Sequence, residues 1–456
     1  MTFLGIPIEI KNLPPLDPGF LPFGAFIDNF LKTAKKPVSI ALYRNNGLVS
    51  VHRTFVSGVS EMADADKYYI DRLVKFLLWQ KGGIEVAIYG DEELAEHVSN
   101  AYSPDGPRRF DAGFHSDIYK REFSVRSAKG KPPVEKERPI RIGGHMNGCR
   151  IGFDAGGSDR KVSAVIDGEA IYSEEIVWHP KTSSDPEYHY NGIFSAFHTA
   201  ASKMPRVDAI GVSSAGIFAE NQTMVSSLFA KVPNDKYEQH IRNIYIRAAA
   251  AIGDVPLMVV NDGDVTALTG ALELKSGNVL GIAMGTSQAT GYIDNGGNIT
   301  GWLNELAFAP VDCRPTAAID EWSGDIGCGV NYFSQDAVIR LAPSTGIMLN
   351  KDDSPAEKLK TVQILMAEGD FRARLIFESI GIYLGHTLPL YSMFYKIKHV
   401  LLLGRVMSGD CGLMIVEAAK RVLADEYPNL KLELHLPDEN SRRIAQSVVA
   451  ASLPVV

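Results

Sequence analysis

The segment Asp154-Ala155-Gly156-Gly157-Ser158 gathers a carboxylate, two glycines and a hydroxyl within one short turn. The apolar run Arg150–Phe153 leads into it, so the turn is expected at the carboxyl end of a strand. Bare backbone N–H groups and the Ser158 hydroxyl suit phosphate oxygens, and the Asp154 carboxylate suits a Mg²⁺ ion. Three later segments repeat the scheme of a strand ending in small or polar residues. Val259-Val260 runs into Asn261-Asp262-Gly263-Asp264. Open α/β sheets hold ligands at such strand ends, and the alternative is that Asn261 or Asp262 caps the next helix. Gly281–Met284 runs into Gly285-Thr286-Ser287, read either as a second phosphate turn or as a plain β-turn. Leu401–Leu403 runs into Gly404, where a flat ring has room against the backbone.

The elements that must carry these turns are legible around them. Lys161–Ile166 and Ala170–Ile176 flank Asp167-Gly168, a tight hairpin. Val207–Val212, Leu257–Val260, Val279–Met284 and His399–Leu403 read as short apolar strands, and Cys411–Asp425 and Asn440–Ala451 as helices. Upstream, Val38–Tyr43 and Leu48–Phe55 form a hairpin across Asn45-Asn46-Gly47. In Asp66–Gln80, Tyr69, Ile70, Leu73, Val74 and Leu77 recur at helical spacing before the Gly82-Gly83 stop. A strand at Ile84–Tyr89 and a helix capped by Asp91 complete a small α/β unit over residues 1–125. Arg108-Arg109-Phe110 is read as a solvated loop, with an anion grip as the alternative. The charged, Pro-containing stretch Ala128–Arg138 marks residues 126–148 as a linker.

At 456 residues and a formal charge of −8, the chain has room for several cores and no basic surplus. Nucleic acid is not an expected partner. No apolar run reaches spanning length and the start does not pattern as a secretion signal, so no membrane association is expected. Four cysteines suit a reducing compartment, and the cytoplasm is the expected location. Common one-motif explanations fail: there is no G-x-x-x-x-G-K-[ST], no H-E-x-x-H, and position 215 is Ala where a nucleophile elbow needs Gly.

Taken in order, the four turns resemble the actin–hexokinase superfamily of ATPases, and within it the ROK sugar kinases. Asp154–Ser158 resembles that family's D-x-G-G-[TS], Asn261–Asp264 its N-D-A-N, and Gly285–Ser287 its G-T-G turn. Asn304–Phe308 is similar to G-E-[IL]-G-H, and Gly327–Ser334 to G-C-x-E-x-x-x-S. The resemblance covers about residues 149–456 and implies two actin-like (ribonuclease H-like) α/β lobes with a cleft between them. These are residues 149–262 and 263–440, with a C-terminal helix at 441–456 returning to the first lobe. The α/β domain at 1–125 is extra. It also implies an ATP- and Mg²⁺-dependent kinase acting on a small sugar or sugar derivative, with a homodimer as an option. Asp262 would be the general base; Asn261, Asp264, Glu305 and Asn331 would face the substrate. Asp154 would organise Mg²⁺ through water. Gly156, Gly157, Ser158, Gly285, Thr286 and Ser287 would hold phosphates, and Gly404 would face adenosine.

The chain departs from the family pattern at several of these positions. Phe308 stands where a zinc-binding His is usual and only Cys313 and Cys328 are nearby, so no structural zinc is expected. Val330 replaces a sugar-contacting Glu, Gln288 and Ala289 replace glycines of the second phosphate turn, and Asp159 replaces Lys or Asn. Asp264 adds a charge beside Asp262. Two other functions remain open on the sequence: a non-catalytic sugar or nucleotide sensor, and an ATPase that drives a partner's conformational change.

Overall fold

The computed structural model describes residues 1–437 and 446–456. Helix α1 (Phe23–Leu31) precedes the hairpin β1 (Lys36–Tyr43) and β2 (Val49–Val56), then α2 (Ala63–Lys81), β3 (Glu85–Tyr89), α3 (Glu92–Ala101), α4 (Arg109–Tyr119) and β4 (Ser124–Ala128). These strands make a four-stranded sheet in the order β2-β1-β3-β4. The Asp91 carboxylate caps α3 by accepting from the Leu94 N–H. Asn46 takes a left-handed backbone in the hairpin turn, as its sequence predicts.

The first lobe is a five-stranded sheet ordered β7-β6-β5-β8-β9, made of β5 (Cys149–Ala155), β6 (Asp159–Ile166), β7 (Glu169–Val177), β8 (Ala209–Ser214) and β9 (Leu257–Asn261). Strands β5, β8 and β9 are parallel, so Asp154, Ser213 and Val260 come level at their carboxyl ends. Helix α5 (Pro186–Ala201) packs on this sheet, and Phe153 meets Phe197 edge-on there. Residues 446–451 are helical and press on the other face. They come so close that a Cβ at Gly152 or Gly211 would strike the backbone carbonyl of Ser447 or Ala450. Only glycine permits that approach. The first residues of the helix expected at 440–451 fall outside the described residues.

The second lobe begins with α6 (Asp262–Leu274) and builds a sheet from β10 (Val279–Met284), β11 (Gln288–Ile293), β12 (His399–Leu403) and the short edge strand β13 (Glu433–His435). Its far edge is completed by Asn298–Ile299 and, from the linker, Ile140–Arg141. Helices α7 (Gln335–Leu341), α8 (Pro355–Ala367), α9 (Phe371–Ser392) and α10 (Asp410–Glu426) follow between the strands. No helix among the described residues is long and apolar enough to cross a membrane.

The N-terminal unit shares one hydrophobic core with the second lobe, reaching from Phe26 and Trp79 to Tyr391 and Ile415. The first lobe has a core of its own. A buried ion network fastens the N-terminal unit further. Asp325 pairs with Arg72 at 2.7 Å, Arg108 at 2.6 Å and Lys75 at 3.1 Å, while Lys75 also meets Asp111 at 2.9 Å. This corrects the reading of Arg108–Phe110 as a solvated loop. Arg108 is buried between Asp71 and Asp325, and Arg109 opens a helix.

Candidate active site

Residue Asp262 is the first residue of α6, held where β9 meets the helix. The Asn261 carboxamide oxygen accepts from the Gly263 N–H at 2.7 Å, and its nitrogen donates to the Gly216 carbonyl at 2.8 Å. Asn261 is thus the helix cap and also ties the strand end to the neighbouring loop. The turn fixes the direction of the Asp262 side chain, which lies on the wall of a cavity of about 620 Å³ between the lobes.

Asn261, Asp262, Glu305 and Asn331 line this cavity together. Gly157 of the first turn, Gly285, Thr286 and Ser287 of the second, and Gly404 line it as well. Four other residues marked by the sequence do not reach it. Gly156 donates its N–H to the Asp159 carbonyl inside the turn. The Ser158 hydroxyl accepts from Arg405 at 2.7 Å. Asp154 is buried beneath the lining and accepts from the Ser213 hydroxyl at 2.7 Å. Asp264 is buried too, taken up by the Asn304 amide at 3.1 Å and the Tyr292 N–H. Gly404 lines the cavity at φ 98°, and a side chain there would strike the Met284 backbone, which gives this glycine a steric reason as well.

The first turn is braced by Trp178, which follows β7. Its ring N–H donates to the Gly156 carbonyl at 2.8 Å and its backbone N–H to the Ser158 carbonyl at 3.1 Å. The short turn Pro180–Thr182 then sets Lys181 against Gly157, on the cavity wall. Burial pulls the Lys181 ammonium below its ordinary pKa, opposed by the negative charges of Asp262 and Asp336. No motif announces this lysine, because only the fold of the first lobe carries it to the first turn.

The cavity floor is electrostatically tense. Burial, and next the charge of Asp154, push the Asp262 carboxyl up to about 6, against the favourable hydrogen bond from the Gly263 N–H. Burial and the carboxylates of Asp262 and Asp264 raise Glu305 to about 8. Burial raises Asp264 to about 7, and Asp154 is also raised, chiefly by burial. Such shifts gather where groups are poised to exchange protons.

The N-terminal unit forms part of the wall, which its sequence did not reveal. Phe114 of α4 lines the cavity beside Phe308. Phe308 stacks on Trp79 of α2 with ring centroids 4.3 Å apart. The backbone N–H groups of Asn304 and Glu305 donate to the carbonyls of Gln80 and Trp79, each at 2.9 Å. The end of α2 therefore positions Glu305.

Two observations bear on ligands. The Asn331 side-chain nitrogen is buried on the cavity wall without a hydrogen-bond partner among the described residues. A Cβ placed at Gly285 would meet nothing nearer than 3.9 Å, so the second turn faces open space. The lining therefore offers a free N–H donor and an open turn to a polar ligand, while Asp154, held by Ser213 beneath the lining, could act on a hydrated cation only from behind it.

No protein-family profile matches the sequence, and no curated protein matches it. Solved structures do. A ROK family glucokinase from Streptomyces griseus, in complex with glucose and AMPPNP, is 20% identical with a TM-score of 0.54 over 67% of this chain and 99% of that one. A ROK family transcriptional regulator, a homologue of the E. coli MLC protein, is 13% identical with a TM-score of 0.50 over 74% and 83%. At such identities the likeness is one of fold. The chain has the mixed α/β, two-lobed actin-like fold of the ROK kinases, as the ordered turns of its sequence lead one to expect.

Proposed function

We propose that the protein is a ROK-type carbohydrate kinase, transferring the γ-phosphoryl group of ATP to a hydroxyl of a sugar or sugar derivative. The observation that carries this reading is the position of Asp262. Its carboxyl faces a cleft that also exposes Gly157 on one side and Gly285–Ser287 on the other. A carboxylate with a pKa raised to about 6 is ionised at neutral pH and basic enough to accept a hydroxyl proton in the transition state.

In this reading ATP with Mg²⁺ supplies the phosphoryl group and part of the charge neutralisation. Asp262 accepts the proton of the sugar hydroxyl as its oxygen bonds to phosphorus, and the bond to the ADP oxygen breaks with its electron pair. Glu305 and Asn331 orient the sugar. Both can donate to sugar hydroxyl oxygens, since Asn331 has an unused N–H and Glu305, raised to about 8, is largely protonated at neutral pH. The two turns hold the phosphates, with Lys181 as a charge partner beside the first. Phosphoryl transfer depends mainly on such positioning and charge stabilisation. Asp264 serves from behind: it fixes Asn304 and so the segment that carries Glu305.

A second reading, a sugar- or nucleotide-binding regulator, is favoured by one feature. Arg405 occupies Ser158 and pairs with Asp159 at 3.0 Å, engaging the first turn with a residue of the protein itself. Incubation with Mg·ATP and a panel of sugars separates the readings. ADP that forms only with sugar supports the kinase, and ADP formed without sugar indicates an ATPase. Ligand-induced stabilisation with no ADP indicates the regulator.

A further inference from the structure

At the end of the second-lobe sheet remote from Gly404, His399 begins β12, and Glu433 and His435 lie on the adjoining parallel strand β13. Residues two apart on a strand face the same side, and pairing of His399 with Glu433 brings all three together. His399 Nδ1 lies 3.0 Å from His435 Nε2 and 3.3 Å from the Glu433 carboxylate, and His435 Nε2 lies 3.6 Å from that carboxylate.

We propose that His399, Glu433 and His435 form a binding site for a divalent transition-metal ion, Zn²⁺ or a close relative, that ties the edge strand β13 to the buried strand β12. Nitrogen and carboxylate donors bind such ions at about 2.0–2.2 Å, which separates neighbouring donors by about 3.0 Å in octahedral and about 3.4 Å in tetrahedral geometry. The spacings of 3.0 and 3.3 Å from His399 fall in that range, and the 3.6 Å between His435 and Glu433 lies just above it, on the exposed side of the site. The tautomer also suits the role. His399 Nε2 is 3.2 Å from the Ser276 hydroxyl, which itself points to the Gly277 carbonyl and so has its oxygen free to accept. An N–H on Nε2 leaves the Nδ1 lone pair toward Glu433 and His435, the usual arrangement of a metal-bound imidazole and its outer partner. Without an ion, the two imidazoles share a single hydrogen bond.

Access and charge are consistent with an ion completed by water. Glu433 and His435 border an open cavity of about 680 Å³, and His399 is buried behind them. Lys420 and Lys431 border the same cavity, and Glu433 supplies the site with a carboxylate. Two neutral imidazoles and one carboxylate leave a net positive site, which favours water or a small anion as the remaining ligand.

Titration of the chelator-treated full chain with Co²⁺, followed by visible absorption, and with Zn²⁺, followed by calorimetry, tests the proposal. One equivalent of each ion is expected, with Co²⁺ developing ligand-field bands. His435→Gln and Glu433→Gln are each expected to weaken binding about tenfold or more and to leave metal-free melting unchanged. Both positions are partly or largely exposed, so the fold tolerates them; should His435→Gln unfold, Glu433→Gln decides. Absence of stoichiometric uptake overturns the proposal, and so does uptake that both variants retain.

Discussion

Residue Asp262 is a carboxylate at the start of a helix, a place that ordinarily favours the anion. Its pKa rises nonetheless, because burial and Asp154 outweigh the helix end. If it is the base, kcat/KM falls about tenfold per pH unit below about pH 6 and levels off above it. The same shifts set a stability trend of opposite sense. Asp262, Asp264 and Glu305 hold protons in the folded chain at pH values where the unfolded chain has lost them. Native protein therefore binds more protons, and ligand-free stability falls as pH rises from about 4 to 8. Glu305→Gln should melt higher than the parent at pH 8 and alike at pH 4, as calorimetry at the two pH values will show. Lys181→Met should lower kcat at least tenfold with little change in the melting temperature, since Lys181 serves the cleft and not a core; an unchanged kcat removes it from the mechanism. At this scale the sequence singled out Asp262, Asn331 and Glu305, which line the cleft together with Gly157 and Gly285–Ser287. It did not reveal Lys181 or Phe114, whose relevance depends on folding that no local pattern encodes. It also gave Asp264 a substrate contact, whereas its carboxylate is spent on Asn304 and the Tyr292 N–H.

The short strands were legible even where both faces are buried, as in β5, β8 and β12, whereas several helices were not. The hairpin β1–β2, helix α2 and strands β5 to β12 follow from alternation, periodicity and turn residues. Helix α9 escaped notice because it is buried almost throughout, from Ala373 to Tyr391, and so shows no polar stripe to set the period. Arg108 was misread for a related reason: its partners Asp71 and Asp325 are brought to it only by packing. That network bears directly on the site, because α2 presents the carbonyls that hold Asn304 and Glu305. Burial opposes the charge on Asp325, but Arg72, Lys75 and Arg108 outweigh it and hold the carboxyl well below its usual range. Asp325→Ala leaves three cations short of a partner, and loss of a buried partner costs about 3–5 kcal/mol. Urea unfolding should show a loss of that size, and one below about 1 kcal/mol would mean that water or another acid takes over the role.

Across the whole molecule, two lobes meet at a cleft and a strap of contacts crosses it. Arg405, next to Gly404 on the second lobe, reaches Ser158 and Asp159 on the first. Asp159, a departure from the family pattern in the sequence, has its physical reason in this pair. Arg405→Ala should loosen the ligand-free cleft and raise the radius of gyration in X-ray scattering; an unchanged radius would show that the lobes are held elsewhere, for instance by residues 446–451. Closure of such lobes excludes water and protects ATP from hydrolysis. The central claim is that Asp262 takes the proton from a sugar hydroxyl in this cleft. Its most direct test is mass spectrometry of a sugar panel incubated with Mg·ATP, comparing the parent with Asp262→Asn, alongside nucleotide affinity by calorimetry. The account predicts a sugar that gains one phosphoryl group with the parent, a rate lower by about 10²–10⁴-fold with the variant, and equal nucleotide affinity in both. Undiminished transfer by Asp262→Asn, or a parent that binds ATP yet phosphorylates no sugar, would contradict it.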